Sequence, residues 1–166
     1  MNVSIRIPSE IYAEALRDLQ REHPIAAERI GFFSTSFGGA GPDQLVVCVT
    51  RYHPVANEDY VDDRAAGARI NSNAIRAALQ RILDEKSGQL HVHLHWHSGI
   101  PRPSFMDIRE LPPLAKSMVA VANHQVHGGL ILSRDAGRAS LWLPGQQAPR
   151  TTTRISVVGF PLRFLS

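Results

Sequence analysis

The alternation of apolar and polar positions divides the chain into short periodic runs separated by proline, glycine and small polar residues. Residues 4–7 alternate as an opening strand that Pro8 ends. Helical spacing of Tyr12, Ala15, Leu16 and Leu19 predicts a helix over residues 10–22, capped by Ser9 and closed where His23 precedes Pro24. Residues 28–33 and the β-branched run 45–50 read as strands. They flank Gly38-Gly39-Ala40-Gly41-Pro42, a hairpin connection, because no helix start or Gly-Lys-Ser/Thr follows it as a phosphate cradle requires. A second helix is expected over 73–86, with Ile75, Ala78, Leu79 and Ile82 as its buried stripe, Asn71 or Ser72 as its cap and Gly88 past its end. Strict alternation returns at residues 91–97. After Asp107 a short helix stopped by Pro112-Pro113 is expected, then strands at 118–122, 129–133, 139–143 and 154–159. These elements predict an α+β fold, a mixed central β-sheet flanked by helices, in a single domain over residues 1–166.

Composition narrows the function classes. The chain is 43% hydrophobic and 20% charged, and no apolar run approaches the roughly 20 residues of a bilayer helix, so no membrane partner is expected. Residues 1–6 lack a charged-then-apolar secretion signal, which predicts a cytoplasmic location. The net charge is +3, but the arginines are scattered singly, with no basic block or aromatic-interleaved stripe, so nucleic acid is not the expected partner. The single cysteine, Cys48, cannot form an internal disulfide and is read as a buried, inert thiol. Glu58, Asp59, Asp62 and Asp63 surround Tyr60 without the central glycine of a calcium loop, and read as a solvated loop.

The alternating run His91-Val92-His93-Leu94-His95-Trp96-His97 holds four of the eight histidines. On a strand its imidazoles share one face while Val92, Leu94 and Trp96 enter the core. Two histidines at i and i+2 are close enough to chelate one ion. Downstream, Ser104-Phe105-Met106-Asp107 has the form of a helix-capping arrangement, and its carboxylate is also placed to be a third ligand.

With the upstream Glu28-Arg29-Ile30-Gly31-Phe32-Phe33, the set His95-Trp96-His97 and Ser104-x-x-Asp107 resembles the JAMM (MPN-plus) zinc metallopeptidase family, in particular its prokaryotic JAB-domain branch. The resemblance implies a JAB/MPN-like fold, a bound Zn2+ held by His95, His97 and Asp107, Glu28 as general base and Ser104 as donor to the developing oxyanion. It further implies a deubiquitinase-like isopeptidase, acting by Glu-assisted attack of zinc-bound water. The cleavage would fall after the C-terminus of a ubiquitin-like protein, with that protein or its conjugates as partner, alongside activating- or conjugating-type enzymes. An extended groove beside the zinc, accepting a peptide tail as an added strand, is the corresponding structural expectation.

The sequence departs from the family pattern at two points. Only six residues separate His97 from Ser104, one fewer than the family has, and Ser98 stands where proline is usual. His93/His95 is thus the competing register; Gly99, two after His97, favours His95/His97. His91 and His93 are then left as partners of a ligand or as solvent-facing groups, and His124 and His127 as loop residues. A non-catalytic scaffold of the same fold and a metal hydrolase of a small amide are the alternative functions.

Overall fold

The computed structural model describes residues 1–41, 43–63 and 67–165; Pro42 of the glycine-rich connection and residues 64–66 of the acidic segment lie outside them. The architecture is α+β. Among the described residues nine strands form one mixed sheet in the order β7-β6-β5-β4-β2-β3-β1-β8-β9, with three α-helices packed on it. The strands are β1 (Asn2–Pro8), β2 (Ile30–Gly41), β3 (Gln44–Pro54), β4 (Gly88–Leu94), β5 (His127–Leu132), β6 (Gly137–Trp142), β7 (Arg150–Thr152), β8 (Ile155–Val158) and β9 (Arg163–Phe164). The helices are α1 (Ser9–Leu19), α2 (Ser72–Glu85) and α3 (Phe105–Val121). Among the described residues no helix is long and apolar enough to cross a membrane.

The period-2 alternation sorts side chains onto two faces of the sheet. On one, Ile5, Ile7, Phe33, Val47, Val92 and Leu130 form a core with Tyr12, Ala15 and Leu19 of α1. On the other, Ile30 and Phe32 pack with Ala74, Ala78 and Ile82 of α2 and Met118 of α3. His91 and His93 project from β4 onto this second face, under α2 and α3.

Several local expectations are corrected. Helix α1 ends at Leu19, and its N-cap is Pro8 with no side-chain cap, so Ser9 is helical and does not cap it. For α2 the cap is Asn71, whose side chain accepts from the amides of Asn73 and Ala74. Its end is set by Lys86 in the left-handed region, φ 50°, while Gly88 begins β4, where a Cβ would lie 2.1 Å from the Val126 carbonyl oxygen. Strand β2 starts at Ile30, leaving Glu28 and Arg29 in the preceding turn. Cys48 is half-buried.

The largest correction concerns α3. Instead of stopping at Pro112-Pro113 it runs through them, 17 residues in all, and the strand expected at 118–122 is its last turn and cap. The proline rings remove the bonds to the carbonyls of Ile108 and Arg109, both on exposed residues where water can satisfy them. Burial of Ala115 and Met118 against the sheet sustains the helix beyond the break.

Candidate metal centre

Three separate devices aim side chains at one end of the second sheet face. The first is the turn that carries Glu28. The His23 Nδ1 accepts from the amides of Ile25 and Ala26. The buried Arg29 then ties the turn down by donating to the carbonyls of Arg21 and Glu22 and to Asn57 Oδ1. The amides of Ala27 and Glu28 both donate to the Gly67 carbonyl, and a Cβ on Gly67 would lie 3.2 Å from the Glu28 carboxyl carbon. That glycine leaves the room in which the carboxylate sits.

The second device is the end of β4. His93 pairs with Ile30 on one side and Ile131 on the other, and the His95 amide continues the ladder by donating to the Leu132 carbonyl at 2.8 Å. Beyond that, β5 ends and the chain turns away. Trp96 is 51% exposed and does not enter the core as alternation predicts. His97 is likewise exposed and its Nδ1 donates to the Ser98 carbonyl at 2.9 Å, because a carbonyl can only accept.

The third device is the start of α3. Ser104 caps the helix: its hydroxyl accepts from the Asp107 amide at 3.1 Å while its own amide donates to Asp107 Oδ2 at 2.7 Å. This reciprocal capping box holds the carboxylate in one orientation. The connecting loop is pinned where the Gly99 amide donates to Asp135 Oδ1 and the Ser133 hydroxyl to the Gly99 carbonyl. Gly99 has φ +84°, a conformation that favours glycine.

These devices converge. His93 Nε2 lies 3.2 Å from His95 Nε2 and 3.3 Å from Asp107 Oδ1, and His95 Nε2 lies 3.8 Å from Asp107 Oδ2. Glu28, His93 and His95 form a group whose ligand atoms all fall within 4.8 Å of one another, able to hold a metal ion. Two nitrogens bound to one tetrahedral zinc at about 2.0–2.1 Å stand about 3.3 Å apart, so the imidazole pair matches that spacing. His97, second ligand of the preferred register, stands outside the group, and His93 takes the place beside His95. Ser104, expected to face an oxyanion, is engaged as the α3 cap, although it also lines the adjoining cavity.

The two carboxylates sit in opposite electrostatic settings. Burial raises the Glu28 carboxyl above its ordinary range; His93 opposes the shift and Asp107 adds to it. Burial also works to raise Asp107, but the bond from His93, its charge and the bonds from Ser104 outweigh it and hold Asp107 well below the usual carboxylate range. His91 is pushed down to about 3, first by burial and then by His93, and so is neutral at ordinary pH. Its ring meets Phe32 edge-on at 5.7 Å and faces the cavity, not solvent. Among the described residues His93 Nδ1 is buried without a hydrogen-bond partner, so the polar contacts of the ring run through its Nε2.

A cavity of about 530 Å³ opens from this group and runs beneath α3 across the sheet to β6. Glu28, His91, His93 and Asp107 line one end and Arg138, Ser140 and Trp142 the other. The strand carrying the histidines is paired by β2 and β5, so it offers no free edge to a peptide tail. His127, expected in a loop, is structural: it opens β5 fully buried, where its Nδ1 accepts from the Gln89 amide and its Nε2 donates to the Ala122 carbonyl. Arg138 has no signal in the sequence, where a single arginine in a strand carries no motif.

No family model matches the chain, and no curated protein is significantly similar to it.

Proposed function

We propose that the protein is a zinc-dependent amide hydrolase of the peptidase and isopeptidase kind. The observation that carries this reading is the convergence of His93 Nε2 with His95 Nε2 at 3.2 Å and Asp107 Oδ1 at 3.3 Å, with Glu28 in the same group, at the mouth of a cavity. In this assignment His93, His95 and Asp107 would hold the ion, a three-residue ligand set of the kind catalytic zinc sites use. When bound, zinc supplies Lewis acidity and makes water a competent nucleophile near neutral pH. Glu28 accepts the proton from the attacking water and returns it to the leaving amine, a role suited to a half-buried carboxylate held in place by Gly67. Asp107 is the better anionic ligand because the capping box fixes its orientation before any ion arrives.

The resemblance to JAMM peptidases adds the substrate expectation: a ubiquitin-like protein or its conjugates. Exposed apolar side chains on the segments that carry His95 and Asp107 support docking of a macromolecule, namely Trp96 at 51%, Phe105 at 74% and Ile108 at 65% exposure. The test is hydrolysis of a ubiquitin-like protein carrying a fluorogenic amine on its C-terminus, by zinc-loaded protein. Turnover that chelation and Glu28→Gln both abolish supports the reading. Turnover indifferent to both overturns it.

A further inference from the structure

The far end of the cavity carries a charge that none of the described residues answers. Arg138 is half-buried on β6 and lines the cavity, and among the described residues its guanidinium makes no hydrogen bond or ion pair. The other charged lining residues outside the metal group are paired: Arg69 donates to Asp63 at 3.1 Å and Glu110 accepts from Arg109 at 2.7 Å. Strand register places Arg138 on the same sheet face as the metal group, since His93 pairs with Ile131 and Ile131 with Arg138. Two strand spacings put its backbone about 10 Å from that of His93.

What lies between is apolar. Ile131, only 6% exposed, forms the step between the two residues. Beside it Gly129 lacks the Cβ that would meet the Leu111 side chain at 2.7 Å, so α3 closes down over the sheet there. Trp142 closes the Arg138 end and is 5% exposed. The cavity thus has an imidazole and carboxylate end, an apolar middle and a guanidinium end. A guanidinium set in an apolar wall has no water shell to lose on binding equal to that of an exposed one, and its fork matches a carboxylate in two parallel bonds.

We propose that this cavity receives an apolar substituent of the amide substrate and that Arg138 binds a carboxylate carried at its end. Arg138 is then a specificity-determining residue, selecting anionic substituents about 1 nm from the reacting carbonyl. Its place as part of the hydrolysed substrate rests on the proposed amide hydrolase. The occupancy of the cavity does not, and the two fail separately.

The probes are 4-phenylbutyrate and its neutral isostere 4-phenylbutyramide, titrated calorimetrically into full-length protein held in chelator, so that no metal can attract the carboxylate. Wild-type protein is expected to bind the carboxylate at least about tenfold more tightly than the amide. Arg138→Gln and Arg138→Met are each expected to erase that preference while leaving amide binding within about twofold, which also shows that the cavity is intact. Arg138→Lys, which keeps the charge and loses the fork, should fall between. A smaller wild-type preference, a preference that survives both neutral variants, or binding of neither probe overturns the proposal. Repeating the titration on zinc-loaded protein isolates the metal reading: loss of zinc binding with the Arg138 preference intact would sink the hydrolase and leave the carboxylate site standing.

Discussion

Two histidine and carboxylate clusters lie on the second face of the sheet, one at each end of β4, and they differ in whether the central group is satisfied. At the β4 start, the fully buried Ser34 hydroxyl donates to Glu85 Oε2 at 2.5 Å and accepts from Gln89 Nε2 at 2.7 Å. Its second lone pair meets His53 Nε2 at 2.9 Å, so that nitrogen carries the proton. Ser34 has one donor and two acceptor sites, and all are used. A serine, a histidine and a glutamate in contact suggest a nucleophile, yet this hydroxyl has no free valence and no access to solvent. At the β4 end, by contrast, nitrogen and oxygen atoms of His93, His95 and Asp107 approach within 3.2–3.8 Å of one another, and His93 and Asp107 open onto the cavity. Protons lie between these atoms, and a cation can take the place of those protons, which the closed Ser34 network does not allow.

The comparison breaks most sharply through activity. Glu28→Gln should retain zinc and lower turnover by roughly a hundred- to ten-thousand-fold, the usual reach of general base catalysis, with urea unfolding of the protein unchanged. In the saturated cluster the expectation is the reverse: Ser34→Ala should leave turnover near wild type and cost about 1–3 kcal/mol in urea unfolding, because Gln89, His53 and Glu85 lose a buried partner together. Full stability in that variant would mean that the network is idle.

Ser104→Ala tests how the open cluster is held. Removing the cap should cost about 1 kcal/mol of stability and weaken zinc binding about tenfold, since Asp107 loses the clamp that orients it. A stability loss with unchanged zinc affinity would make the cap a helix device only.

The smallest effect is on pH. His91 and His127 are both lowered by burial, so the unfolded chain takes up protons at a higher pH than the fold does. The contribution of His91 is present above about pH 6.5 and lost as pH falls from there toward 3, and that of His127 is likewise lost on the acid side. Metal-free protein should therefore unfold at lower urea concentration at pH 4.5 than at pH 7.5, roughly speaking, and His91→Asn should shrink the difference. An unchanged difference would assign the acid sensitivity to other groups.

Much of this site was readable as residue types, and less of it as geometry. Alternation correctly sends Val92 and Leu94 to one face and His91 and His93 to the other, because that rule depends only on local strand pleating. It fails at Trp96 and His97 because the end of β5 at Leu132, not anything in the histidine run itself, decides where the ladder stops. Counting along the chain puts His97 next to His95, but the chain bends at Trp96 between them, and His97 stands outside the group that could hold a metal. The Pro112-Pro113 pair reads as a stop by propensity, and the distant burial of Met118 overrides it. Ser104-x-x-Asp107 admits a cap or a ligand by sequence; the fold makes it a cap that also aims Asp107 at His93. Arg138 carries no local signal, since only register across three strands brings it onto the cavity.

Zinc stoichiometry, measured by elemental analysis on protein purified without chelator, tests the central assignment most directly when wild type is set beside His93→Ala and His97→Ala. The account predicts about one equivalent in wild type and in His97→Ala, and none in His93→Ala. Zinc retained by His93→Ala, or lost with His97→Ala, would contradict it.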